Sequence, residues 1–211
     1  TSGVEVAASG GGSVSASGSG SIVCGAANES IPIVYGAGWN ADGLVNLEVG
    51  KYSGRVVSYR FRANYSGNVY GVQIYLIFKS LGYYKGDGGQ VLLQLQTDDG
   101  TENHLPSGTV LTSSLVTDPM TQWNRFFAFG SPVQLQKGVL YHLVFTNPAP
   151  DPINNWVSLD LLYNSKGTPN MQPGISDTDL ACVWKRNSAS NWSMYYYATP
   201  IYSLYYNGGT F

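Results

Sequence analysis

Trp156, Ser158 and Asp160 occupy alternate positions of a run whose intervening residues, Val157, Leu159 and Leu161, are apolar. Successive side chains of a strand point to opposite faces. If the aliphatic set faces a core, an indole, a hydroxyl and a carboxylate line up on the outer face. A flat apolar ring can lie on the C–H face of a pyranose while neighbouring polar groups take its hydroxyls. This trio is therefore the first candidate for carbohydrate binding. Tyr83 and Tyr84, in a glycine-rich loop, and Trp39, between Gly38 and Asn40, are further candidates, because packing explains loop aromatics less readily. The competing reading covers the Trp156 face with a loop, a sheet edge or another subunit.

A second constellation is acidic. Asp98, Asp99 and Glu102, with Asn103, fall in one connecting loop, and calcium takes several oxygen ligands of this kind. No EF-hand spacing is present, and adjacent Asp residues in turns also cap backbone N–H groups. Calcium is a possible ligand here rather than a required cofactor. The loop Asp151 to Asn155 is a lesser example.

Catalytic chemistry finds less support. The histidines are His104, in the acidic loop, and His142, inside a strand, and no G-x-S-x-G elbow occurs. Glycosidases set two carboxylates across a scissile bond, and the chain has only four Glu residues. A polysaccharide lyase would draw on His142, Arg60 and Arg62. The plainer reading makes these three the polar face of a sheet, and a non-catalytic protein is expected.

The elements that must hold these residues read as strands. Val57, Tyr59 and Phe61 alternate with Ser58, Arg60 and Arg62. Tyr70, Val72, Ile74, Leu76 and Phe78 repeat the period, as do Val91, Leu93 and Leu95, then Tyr141, Leu143 and Phe145. Turn signals such as Lys85-Gly86-Asp87-Gly88-Gly89 and Pro106-Ser107-Gly108 separate them. No segment keeps helical spacing over three turns. The expected fold is all-β, an antiparallel two-sheet β-sandwich of jelly-roll type, over residues 31–211. The aromatics crowded into Ala181–Phe211 suit closing strands, or a surface for a partner or a sugar.

Residues 1–30 differ: seven are Gly, eight Ser and five Ala. Such a tract suits an arm or linker, lying along its own domain or a neighbouring copy. Its first twenty residues hold Glu5, no Lys or Arg and no apolar run, so no leader is read there. Cys24 and Cys182 are too few and too distant for zinc. A bridge between them would close a loop of roughly 160 residues, worth up to about 5 kcal/mol in the chain-entropy model. Two separate buried thiols are the alternative.

Charged residues make up 11% of the 211, against about 25% in an average protein, and the net charge is −2. No basic stripe marks a nucleic-acid surface, and no apolar run is long enough for a membrane-spanning helix. Across residues 55–163 the succession YRFRA, VYGVQIYL, LLQLQTDDG, LPSGTVL and PVQLQKGVLYHLVFTN resembles β-sandwich domains of bacterial surface and secreted proteins, including the choice-of-anchor domains. Its layout is also similar to jelly-roll carbohydrate-binding modules. The resemblance implies a non-catalytic module that recognises glycans or displays itself on a surface, and the expected location is extracellular, on a cell surface or on a virion surface. The alternative from another class is a structural or decoration protein of an assembled particle, pairing with its own copies through the N-terminal arm.

Overall fold

The computed structural model describes residues 6–7, 13–16, 22–24, 30–35, 44–77, 81–163, 181–187, 191–195 and 198–210. Within the Gly/Ser/Ala tract, β1 (Val6–Ala7), β2 (Ser13–Ala16) and β3 (Ile22–Cys24) pair as a small antiparallel sheet. The chain continues through β4 (Ser30–Tyr35), β5 (Leu44–Val49), one helical turn α1 (Lys51–Gly54), β6 (Arg55–Arg62), β7 (Ser66–Ile77), β8 (Tyr84–Lys85) and β9 (Val91–Asp98). Then follow β10 (Pro106–Val116), β11 (Asn124–Leu135), β12 (Leu140–Thr146), β13 (Trp156–Tyr163), β14 (Ala181–Asn187), β15 (Ser193–Met194), β16 (Ala198–Pro200) and β17 (Tyr202–Thr210).

Two antiparallel sheets face each other. The smaller runs β10-β9-β12-β6-β14-β15. The larger contains β5, β13, β7 and β11, with β17, β4, β8 and β16 added. Numbered one to eight in chain order, the strands β5, β6, β7, β9, β10, β11, β12 and β13 pair as 1-8-3-6 in the larger sheet and 2-7-4-5 in the smaller. That is the winding of a jelly roll, as the strand pattern led one to expect.

The core lies between the sheets and follows the two-residue period. Val57, Tyr59, Phe61, Leu93, Leu95, Leu143 and Phe145 from the smaller sheet meet Val72, Ile74, Leu76, Val157, Leu159, Leu161, Tyr202 and Leu204 from the larger. All have no exposed surface, and each such side chain contributes roughly 1.5–3 kcal/mol of burial free energy. Tyr59 and Tyr202 stack across the layers at 5.8 Å. One expected position is out of phase. The alternation put Tyr70 with the core set, whereas Val69 is the buried residue and Tyr70 is half-exposed. The pairing of β7 with both β17 and β11 shifts register around Gly71, and this bulge turns Tyr70 to the outer face. Phe78 lies outside the described residues.

The loop before β9 is tied to the one before β13. Asn147 Nδ2 donates to the Asn155 carbonyl at 2.7 Å, and its Oδ1 accepts the Gln90 and Ala149 N–H groups. Gly89 sits against this knot at φ +65°, where a Cβ would strike the Asn155 carbonyl oxygen and the Asn147 amide. Gly89→Ala combines a left-handed backbone with that clash. It should lower stability by about 2–4 kcal/mol in urea unfolding. An unchanged midpoint would show that the two loops can separate freely.

Candidate functional site

The outer face of the larger sheet carries the candidate site. On β7 the core residues Val72, Ile74 and Leu76 leave Gln73 and Tyr75 pointing outward, joined by Tyr70 through the bulge. Beside them β11 and its preceding turn bring Trp123 and Phe126, and β17 brings Tyr205. Trp123 and Tyr75 rings lie 4.6 Å apart; Phe126 packs edge-on against Tyr205 at 5.2 Å and lies 6.0 Å from Tyr70. The tip of the Phe126 ring rests over Gly71, where any Cβ would strike Cζ, so glycine is what lets the phenyl approach the strand. Trp123 is 53% exposed and Phe126 39%. The Tyr205 hydroxyl donates to Gln73 Oε1 at 3.1 Å.

Trp156, Ser158 and Asp160 do lie on this face of β13, opposite Val157, Leu159 and Leu161, but they form no open platform. Trp156 and Asp160 are each 4% exposed and Ser158 is fully buried. The expectation of an accessible Trp156 ring is corrected. Alternation gives the face of a residue and says nothing of what covers it. Turn α1 places the Lys51 ammonium 4.6 Å over the Trp156 ring, and Asn46 of β5 donates to Ser158 Oγ at 3.0 Å. Trp123 Nε1 donates to Asp160 Oδ2 at 3.1 Å. Burial raises the Asp160 pKa, and the hydrogen bond from Trp123 opposes that rise. Among the described residues Asp160 Oδ1 and Trp156 Nε1 have no hydrogen-bond partner. The buried carboxylate is thus the foot on which the exposed indole stands.

Of the loop aromatics, Tyr83 is 38% exposed, Tyr84 is half-buried in β8 opposite Val157, and Trp39 lies outside the described residues. The side chains of Cys24 and Cys182 also lie outside them.

The acidic loop is bound to the protein itself. Asp98 joins two imidazoles, His104 Nδ1 on Oδ1 and His142 Nε2 on Oδ2, each at 3.0 Å. Asp99 Oδ1 accepts the Thr101 and Leu105 N–H groups, both at 3.0 Å. These bonds hold both carboxyls below their ordinary pKa against the opposing effect of burial. Glu102 is exposed on the same loop, and Asp151 is taken up by its own turn through Asn154.

Ser58, His142 and Asp98 form a string that the sequence alone did not bring together. Ser58 Oγ lies 3.1 Å from His142 Nδ1, and the other ring nitrogen meets Asp98. The members are those of a nucleophilic triad, yet Ser58 and His142 have no exposed surface, so no substrate reaches the hydroxyl or the ring. Burial depresses the His142 pKa to about 4, outweighing the pull of Asp98, and the ring is neutral at pH 7. Arg60 is 3% exposed and donates to the Asn103 and His104 carbonyls; Arg62 donates to the Gly138 carbonyl at 2.7 Å. Of the residues a lyase would draw on, His142 and Arg60 are buried and bonded to the loop of residues 98–105. They are paired neighbours on β6 and β12.

No protein-family model matches this chain, and no curated protein matches it.

Proposed function

We propose that this protein is a non-catalytic carbohydrate-binding module of a surface, with the saccharide lying on the outer face of the larger sheet. The observation that carries the reading is the half-exposed Trp123 indole, backed by Tyr75 and held by the buried Asp160 carboxylate. A ring fixed from behind and below loses little freedom when a sugar stacks on it. Its charged contact among the described residues is the buried Asp160, and Glu48 is paired with Lys51 and Arg55 and Asp118 with Arg125, which favours a neutral glycan. The test is affinity electrophoresis of a tetramerised form through gels holding neutral polysaccharides. At least one should retard the protein, and Trp123→Ala should weaken that retention about 10- to 30-fold, as for a central Trp anchor. Free migration through every gel overturns the reading.

One observation favours the second reading, a structural protein of an assembled particle. Strand β10 borders the smaller sheet and bears no charged residue along its length. It exposes Val110 (44%), Leu111 (37%) and Leu115 (50%). Natural edge strands are usually guarded by charge, proline or a bulge. Strand β10 has Pro106 and register shifts only up to Thr112, so its regular stretch, residues 112–116, is the part open to pairing with another chain. Light scattering should then report an oligomer that Leu115→Lys reduces to the monomer. A monomer before the substitution excludes this use of the edge.

A further inference from the structure

We infer that the aromatic face holds two separate stacking positions and that one extended, neutral sugar chain spans both. The inference rests on the carbohydrate reading above and adds the shape of the ligand. The rings fall into two groups. Trp123 and Tyr75 form one, and Phe126, Tyr205 and Tyr70 the other. The strand between them gives their spacing. Phe126 rests over Gly71, and Trp123 packs on Tyr75, four residues along β7. At about 3.3 Å per residue these points are on the order of 13 Å apart. A pyranose is no larger than one aromatic side chain, so a single sugar covers one group and never both.

What lies between the groups is hydrogen-bonding rather than apolar. Gln73, tied to the Tyr205 hydroxyl, stands midway on β7. Asp160 is buried beneath Trp123 and serves the face only by holding the indole. Continuous rings would suit a lipid or an apolar peptide. Rings at intervals, with a partly exposed amide between them, suit a polymer that repeats apolar faces and hydroxyls. The outward side chains of β7, Tyr70, Gln73 and Tyr75, are all partly exposed, so an internal stretch of a sugar chain can lie along them.

The experiment is titration calorimetry with cello-, xylo-, manno- and chito-oligosaccharides of one to six sugars, on the full chain and on two variants, Trp123→Ala and Phe126→Ala. Both side chains are substantially exposed, and unchanged thermal unfolding confirms the fold of each variant. For the series that binds, affinity should climb at least about tenfold with length and then level off. Each variant should lose about tenfold with the longest member while their mutual difference vanishes for the single sugar. A third variant, Gly71→Val, drives a side chain into the Phe126 ring and should reproduce the Phe126→Ala loss. Equal affinity at every length, or sensitivity to Trp123 alone, overturns the spanning site and leaves a one-ring sugar site standing. No binding in any series, together with free migration through the polysaccharide gels, overturns the carbohydrate reading beneath it.

Discussion

Acidifying the protein from pH 7 to 4.5 should lower its unfolding free energy by roughly 2–3 kcal/mol, most of it before the carboxylates of the surface titrate. The source is His142. In the unfolded chain its imidazole takes a proton near pH 6.5, but in the folded protein burial holds that step down to about 4. Between those values the unfolded state binds a proton that the folded state refuses, so stability is complete above pH 6.5 and falls as pH drops through the window. Asp98 adds to the loss further down, because its lowered pKa means that folding favours the ionised carboxyl. Urea midpoints at pH 7, 5.5 and 4.5 measure this, and His142→Gln, which cannot titrate, should flatten the profile between 6.5 and 5. A wild-type midpoint that does not move over that range would show that the ring is not sealed from water.

Phe145→Ala should cost about 3–5 kcal/mol, a large share of the total stability of an ordinary domain. Phe145 is fully buried on β12, with its ring 4.8 Å from that of Tyr59, so its removal leaves a cavity in the core. Its neighbour supplies the contrast. The Tyr59 hydroxyl is buried without a hydrogen-bond partner among the described residues, and burial drives its pKa well above the ordinary value. Tyr59→Phe removes an unpaired polar group and leaves the ring, so it should be neutral or stabilising by about 1 kcal/mol. Denaturant unfolding of the two variants side by side checks both signs. Should Tyr59→Phe cost as much as Phe145→Ala, that hydroxyl has a partner after all.

The strands that build the core were legible because their side chains obey a period that only burial imposes. Val57, Tyr59 and Phe61, or Leu143 and Phe145, could be placed without coordinates. So could the division of β13 into an aliphatic face and a Trp-Ser-Asp face. Where the period broke, at Gly71, the reading of Tyr70 broke with it, since a bulge leaves no mark on alternation beyond the glycine itself. The candidate site was half visible. Its sheet face was found through Asp160, but the exposed ring on that face is Trp123, in a turn between Gln122 and Asn124 where no alternation marks it. An aromatic in a loop was the signal, the same one that singled out Trp39. That Lys51 would cover Trp156, or that Asp98 would join His104 to His142, depends on chain crossings between sheets. Local sequence does not encode those.

The pairing order also governs how the molecule can be divided. Strand β5 finds its partner in β13, and the bond from Asn46 to Ser158 joins residues 112 apart in sequence. A fragment ending before residue 156 would keep Trp123 and Phe126 yet leave β5 with no neighbour in its sheet. Neither half of the polypeptide is a smaller version of the whole. Closure waits on remote segments meeting, so folding belongs to the millisecond-to-second class of β topologies. A ribosome must finish most of the chain before the first sheet can be zipped shut.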